Sequence, residues 1–308
     1  MYSTSKKSQF VKSTATLHGF DFCGIAKAEF LNDDAKKLEN WLSKNYQAGM
    51  QYMENHFDKR VNPQLLVPGA KSVITVLKNY YPANESSNTI KISKYAYGKD
   101  YHLVIKDSLK KFYTDLQQQL GSFNARGFVD SAPVLERSWA VKSGLGWVGK
   151  NGNFITKQQG SFFFIATLIV DIELEYDNEF VKDYCGTCTK CIDECPTEAI
   201  LPNKVIDANK CISYHTIELK DAFINNGLKG KFDNWMFGCD TCQDVCPWNR
   251  FSKPNHEQAF DPKTEIFDFN ANDWLQLTQE SFATIFKDSP LKRTKLQGIH
   301  RNINFLMD

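Results

Sequence analysis

The spacing of apolar residues along this chain changes several times, and each change marks a different kind of element. Phe20-Asp-Phe-Cys-Gly-Ile-Ala predicts a short strand, and Lys71-Ser-Val-Ile-Thr-Val-Leu, β-branched and set behind a Pro-Gly turn, predicts a second. Ser161-Phe-Phe-Phe-Ile-Ala-Thr-Leu-Ile-Val is a third strand by length and composition. Leu38, Trp41 and Leu42 fall at helical spacing with Asp33 placed as their N-cap, and Tyr101 to Leu120 predicts a longer helix. From Phe267 to the end the pattern is again helical, with Asn272 or Thr278 as caps. Strands interleaved with helices up to about residue 175 place the first part of the chain in the α+β class. Cys23, inside the first strand, reads as a small buried side chain.

Composition narrows the class of protein. The 308 residues are 42% hydrophobic and 13% aromatic, enough for a sizeable core and comfortable for two domains. The longest apolar run, Phe162 to Val170, is strand-sized and too short to span a bilayer, and Met-Tyr-Ser-Thr-Ser-Lys-Lys at the start lacks the apolar centre of a secretory signal. A cytoplasmic location follows as the expectation, and there clustered cysteines serve as metal ligands more often than as disulfides. The net charge of +1 leaves partners open, because a polyanion-binding face can sit inside a balanced total.

Eight of the nine cysteines lie within residues 185–246. Cys185-Gly-Thr-Cys188-Thr-Lys-Cys191-Ile-Asp-Glu-Cys195-Pro196 has the bacterial ferredoxin spacing, in which three close thiolates hold one cubane and the fourth reaches to a second. Cys239-Asp-Thr-Cys242-Gln-Asp-Val-Cys246-Pro247 repeats the theme. Structural zinc is the competing use of Cys-x-x-Cys pairs, but it has no need of a Cys-Pro closing each run. By the two-cluster rule Cys185, Cys188, Cys191 and Cys246 share one 4Fe–4S cluster. Cys195, Cys239 and Cys242 share the other, and Cys211 is the local cysteine left to complete it. Two clusters in one small lobe imply an electron relay.

A second informative segment runs Phe128-Val-Asp130-Ser-Ala-Pro133-Val-Leu-Glu136-Arg137, then Gly144-Leu-Gly146-Trp-Val-Gly149-Lys-Asn151-Gly152. Its glycines match G-x-G-x-x-G, yet they follow a helix-like stretch where a dinucleotide site would need a strand. The glycines read instead as bringing backbone close to a large planar or phosphate-bearing cofactor. Asp130 is either an ordinary turn aspartate or a carboxylic acid aimed into a pocket.

Val129-Asp-Ser-Ala-Pro-Val-Leu-Glu136, Gly144-Leu-Gly-Trp-Val-Gly-Lys-Asn151, Cys211-Ile-Ser-Tyr-His-Thr-Ile-Glu218 and Gly238-Cys-Asp-Thr-Cys-Gln-Asp-Val-Cys-Pro-Trp-Asn249 together resemble the epoxyqueuosine reductases, as do Arg60-Val-Asn-Pro to Lys71 and Tyr95-Ala-Tyr-Gly-Lys-Asp-Tyr-His102. The resemblance runs from about residue 10 to about residue 302. It implies a nitroreductase-like cobalamin-binding domain at 1–175, a dicluster ferredoxin-like domain at 176–255, and a C-terminal helical segment at 256–308. The implied reaction is reduction of epoxyqueuosine to queuosine at the wobble position of tRNA, with base-off cobalamin fed by the two clusters. Asp130 is then the proton donor, its pKa raised in an apolar, corrin-covered pocket. Arg60, Tyr97, Asn151 and Ser213 become candidate cobalamin contacts, while His102 and His215 read as structural. None of the six histidines lies in an Asp-x-His-x-x-Gly cobalt-ligating pattern.

Many members of that family continue into HEAT-like repeats, whereas this sequence stops at Asp308, soon after Arg301-Asn302. Lys292, Arg293 and Lys295, in an acid-free stretch, together with Lys229 and Lys231, are therefore the expected phosphate contacts. The implied partners are tRNAs with a G-U-N anticodon (Asp, Asn, His and Tyr types) and an electron donor such as flavodoxin or ferredoxin. Two rival readings are a cobalamin-dependent reductive dehalogenase, which commonly carries an export signal, and a non-catalytic dicluster carrier, which leaves the first 180 or so residues without a task. Trp248 reads as a cover for a cluster.

Overall fold

The structure is a computed structural model and describes residues 3–84, 86–222 and 224–307; Met1, Tyr2 and Asp308 lie outside it. Its strands are β1 (Phe22–Lys27), β2 (Ser72–Asn79), β3 (Lys91–Ile92), β4 (Ala125–Phe128), β5 (Trp147–Val148), β6 (Phe154–Ile155), β7 (Phe163–Val170), β8 (Ile200–Leu201), β9 (Val205–Ile206) and β10 (Trp235–Phe237). The helices are α1 (Thr4–Leu17), α2 (Asn32–Ser43), α3 (Phe57–Val61), α4 (Tyr101–Leu120), α5 (Glu136–Lys142), α6 (Lys190–Asp193), α7 (Thr241–Asp244), α8 (Thr264–Asp268), α9 (Ala271–Leu275), α10 (Gln279–Ile285) and α11 (Lys295–Met307).

An antiparallel sheet of order β1-β2-β7-β4 forms the centre. Every residue of β2 is buried, because both faces of the sheet are covered. Alternation divides its side chains: Ile74 and Val76 join the core made with α1 and α4, while Val73 meets Trp139 of α5 and Val61 of α3 on the other face. Asp100 caps α4 by accepting from the His102 backbone N–H, so the helix starts at Tyr101 as its sequence predicts.

Two expected caps move. Helix α2 starts one residue before Asp33, leaving Asp33 and Asp34 in the first turn, where their charge favours the helix dipole without capping it. Thr278 caps α10 as expected, but Asn270, not Asn272, caps α9.

The cysteine segment and the C-terminal helices fold against the sheet domain instead of hanging from it. β10 pairs in parallel with β3, and Ile90, Ile92 and Tyr97 share one core with Met236, Phe237, Trp274 and Ile303. Asn302, buried in α11, donates to the carbonyls of Thr216 and Met236, both at 2.9 Å. Arg301 donates to the carbonyls of His215 and Leu219 at 2.9 and 2.8 Å, so this cation is a tie between segments.

Candidate redox and catalytic site

The eight cysteines assemble as two groups of four. Cys191 sits within the electrostatic reach of Cys246, Cys185 and Cys188, and Cys242 within that of Cys239, Cys211 and Cys195. Burial pushes Cys191 up to about 11 and Cys239 up to about 12, and raises Cys211 and Cys242 above the ordinary thiol value. Thiols gathered in this way resist ionising alone, and the donor set suits the polycationic core of an iron–sulfur cluster. No group of three or more Cys, His, Asp or Glu among the described residues is gathered tightly enough for a single metal ion.

The protein dresses these sulfurs. The backbone N–H groups of Tyr214 and Ser213 and the Ser213 hydroxyl bond Cys211, pulling its pKa down against the effect of burial. Lys150 Nζ donates to the carbonyls of Gly186 and Cys188 at 2.8 Å, and Asn151 Nδ2 donates to the Cys242 carbonyl at 3.0 Å. Ser213 and Asn151, expected at the corrin, thus bond Cys211 and the Cys242 carbonyl. Buried Asp240 accepts from Ser93 Oγ at 2.6 Å and from the Lys94 backbone at 2.7 Å, while Lys94 Nζ meets Asp244 at 2.7 Å. Both aspartates lie between the cysteines of the second run, so this network pins that run to the sheet domain.

The glycine segment packs closely against its own hairpin. A Cβ on Gly146 would stand 2.1 Å from the Ile155 carbonyl oxygen, and one on Gly149 would stand 2.6 Å from Ile155 Cδ1. These glycines admit the β5–β6 hairpin. As expected, a helix, α5, precedes them.

Asp130 stands at the end of β4 with φ of 53°, an unusual conformation for a residue with a side chain. Its carboxyl accepts a hydrogen bond from Tyr101 Oη and lies 3.7 Å from His102 Nε2, whose Nδ1 is 2.8 Å from Asp100. The Asp130 backbone N–H donates to Glu136 Oε1 at 2.6 Å, holding the turn. The side chain of Asp130 is 62% exposed, so the apolar enclosure expected around it is absent from the protein alone. Burial pushes the neighbouring carboxyl of Glu136 up to about 8, with the charge of Asp130 adding to the effect. His102, read as structural, borders the acid; His215, with Nε2 2.8 Å from the Asn209 carbonyl, is structural as expected.

Arg60 lies close by. It is buried, donates through Nη2 to the Tyr52 carbonyl, and leaves its Nε without a partner. Burial lowers its pKa, while Tyr52 and Glu136 oppose that shift. An unpartnered buried guanidinium N–H beside the 43%-exposed ring of Tyr52 fits a bound group offering an acceptor and a broad face. Tyr97 does not belong to this group; its ring packs edge-on to Phe267 in the C-terminal core, 5.6 Å away. Tyr101, Tyr52 and Glu136 escaped the sequence reading. The available signal was that Tyr101 and His102 open a capped helix and that Glu136 follows Asp130 at turn distance.

Among the expected phosphate contacts, Lys229, Lys231, Lys292 and Lys295 are exposed. Arg293 is committed elsewhere, gripping Glu218 with two hydrogen bonds of 2.8 and 3.2 Å. Trp248, two residues after Cys246, belongs to an aromatic cluster with Trp147 and Tyr184, its ring centroid 5.0 Å from that of Trp147.

The fold and these thiols define a two-cluster iron–sulfur redox protein on an α+β sheet domain. A family model described as epoxyqueuosine reductase QueG, DUF1730, matches residues 60–131, and one described as a 4Fe-4S double cluster binding domain matches residues 184–249. An epoxyqueuosine reductase of Cyclobacterium marinum is 58% identical over 99% of this chain and 98% of its own length, and the chain belongs to the epoxyqueuosine reductase family. The Escherichia coli epoxyqueuosine reductase is 40% identical over 93% of this chain and 76% of its own. A crystal structure of an epoxyqueuosine reductase with an epoxyqueuosine-modified tRNA-Tyr stem loop superposes with a TM-score of 0.91 at 28% identity, covering 99% of this chain and 82% of that one.

Proposed function

We propose that this protein reduces epoxyqueuosine to queuosine at the wobble position of tRNA, using a base-off cobalamin and two 4Fe–4S clusters. Family membership at 58% identity over 99% of the chain carries this reading. The grouping of the thiols into two sets of four and the exposed acid at Asp130 support it. Residues 1–175 hold the cobalamin and Asp130, residues 176–255 hold the clusters, and residues 256–308 buttress both. No described helix is long and apolar enough to cross a membrane, and the proposed location is the cytoplasm with its tRNA.

Turning an epoxide into an alkene consumes two electrons and two protons and releases water, so the site must pair an electron source with an acid. Cobalamin, when bound, supplies a strongly reducing centre beside the epoxide. Asp130 delivers a proton to the epoxide oxygen, and its exposure leaves it free to reach a substrate base drawn out of the anticodon loop. Tyr101 and His102 hold the carboxyl of Asp130, and Asp100 orients His102 through Nδ1. Glu136 fixes the backbone of the turn. Arg60, with its unpartnered Nε, would help hold the bound cobalamin. Cys195, Cys211, Cys239 and Cys242 hold the inner cluster, and Cys185, Cys188, Cys191 and Cys246 the outer.

Lys229, Lys231, Lys292 and Lys295 meet backbone phosphates of tRNAs with a G-U-N anticodon, and Arg293 shapes that face through Glu218. A flavodoxin or ferredoxin supplies the electrons. The test is an anaerobic assay on cluster-reconstituted, cobalamin-loaded protein with an epoxyqueuosine-bearing stem loop, reading nucleoside products by mass. Queuosine is the expected product; none from fully reduced protein refutes the assignment.

A further inference from the structure

The outer cysteine group lies against a patch of surface that the reaction itself does not use. Tyr184 immediately precedes Cys185 and Trp248 follows Cys246 by two residues, and Trp248 Nε1 reaches the Tyr184 carbonyl at 3.3 Å, clasping the two ends of this ligand set together. Phe251 packs on Trp248 at 5.9 Å and is 39% exposed, while Val181, just before the run, is 88% exposed. Cations surround these apolar groups. Lys157 and Lys182 stand over the Tyr184 ring at 5.3 and 5.5 Å, and Arg250 lies over Phe251 at 4.3 Å. Lys150 bonds the carbonyls of Gly186 and Cys188 within the run. Against them, Asp183 is neutralised by Lys204 at 2.9 Å, Asp193 accepts from Thr189, and Glu194 is exposed.

The two cysteine groups differ in access. Gly186, Thr187, Thr189 and Lys190 around the outer group are exposed, whereas Ile212, Tyr214, Asp240 and Gln243 around the inner group are buried. An electron arriving from outside the protein therefore meets the outer group first. Its surroundings combine an exposed apolar centre with a positive rim, the complement of a small acidic protein whose redox centre lies near its surface.

We infer that the face formed by Val181, Lys182, Lys157, Arg250 and Phe251 is the docking surface for an acidic one-electron carrier protein, which delivers electrons to the cluster of Cys185, Cys188, Cys191 and Cys246. This rests on the function proposed above. Each encounter oxidises the carrier by one electron and reduces the outer cluster by one. Two encounters supply the two electrons that, with two protons, convert the epoxide to an alkene and water.

The test uses cluster-reconstituted protein and an acidic flavodoxin in its hydroquinone state, mixed anaerobically in a stopped-flow instrument while bleaching of the iron–sulfur band is followed. Lys157→Glu with Lys182→Glu should slow the second-order rate about tenfold or more at low ionic strength, with the difference shrinking toward 1 M salt, where the screening length is about 3 Å. Val181→Asp, which keeps every cation, should slow it as well. Dithionite, a small reductant that needs no docking, should reduce wild type and variants alike, and iron content should match. Equal flavodoxin rates and equal salt slopes in wild type and both variants overturn the inference. A wild type that turns over with dithionite but takes no electrons from flavodoxin also overturns it while leaving the proposed function standing; a wild type inactive with every reductant overturns the function itself.

Discussion

Glu136 offers the sharpest physical test of the site, because its carboxyl accepts from the backbone of the turn that carries Asp130. Its pKa rises from an ordinary 4.5 to about 8, chiefly through burial and then through the charge of Asp130. An acid whose pKa is raised by folding holds its proton in the native state while the unfolded chain has already released it. Its contribution to stability is therefore fully present below about pH 4.5 and is lost as pH rises toward 8. Over the full span the cost is about 5 kcal/mol at about 1.4 kcal/mol per unit, and between pH 6 and pH 8.5 it grows by roughly 2–3 kcal/mol. Glu136→Gln removes the titration but keeps an oxygen to accept from the Asp130 N–H, a bond of 2.6 Å in the parent protein. Thermal midpoints of wild type and Glu136→Gln, both cluster-loaded and scanned at one rate, should converge near pH 5 and separate as pH rises. The variant should be the more stable by several degrees at pH 8.5, since about 1 kcal/mol moves the midpoint of a chain this large by roughly 2 °C. Parallel curves across that range would refute the buried-acid account of Glu136, whatever the variant's turnover.

Other expectations follow from the same geometry. Asp130→Asn should lower single-turnover reduction by about 100-fold or more with cobalamin affinity retained, because only the proton is lost; matched rates remove Asp130 as the acid. Cys211→Ala should drop iron from about eight to about four atoms per chain and leave the outer cluster's signal in electron paramagnetic resonance. Full iron content would mean that Cys211 is not a ligand. Replacing Lys292, Arg293 and Lys295 with Ala should weaken stem-loop binding and reduce the salt slope by about two phosphate contacts instead of three, because Arg293 is already spent on Glu218; an unchanged titration removes the patch.

What could be read from the sequence follows a physical division. Elements whose period is local were legible: β2 and β7 from β-branched and aromatic runs, and α4 from helical spacing behind Asp100. The neighbourhood of the thiols was legible too: ferredoxin spacing sends Cys246 to Cys185, Cys188 and Cys191, and Cys211, assigned by elimination, lies with Cys195, Cys239 and Cys242. Convergence of distant segments was not legible. Tyr52, Arg60 and Tyr101 come from stretches that no local period connects to the turn of Asp130 and Glu136, and only the fold gathers them there, whereas Glu136 follows Asp130 at turn distance. The glycine segment shows the same limit. A glycine that admits a ligand and one that admits a neighbouring carbonyl have the same sequence signature, and the Ile155 carbonyl that requires Gly146 is visible only once the hairpin is built.

Asn151 and Ser213 carry the same lesson further. Asn151 donates to the Cys242 carbonyl and Ser213 bonds Cys211, so both are tied to the cysteine segment from outside its own runs. Backbone N–H groups dress sulfurs of both groups, those of Ser213 and Tyr214 at Cys211 and those of Trp248 and Asn249 at Cys246. What separates the groups is access: Gly186, Thr187, Thr189 and Lys190 around the outer one are exposed, whereas Ile212, Tyr214, Asp240 and Gln243 around the inner one are buried.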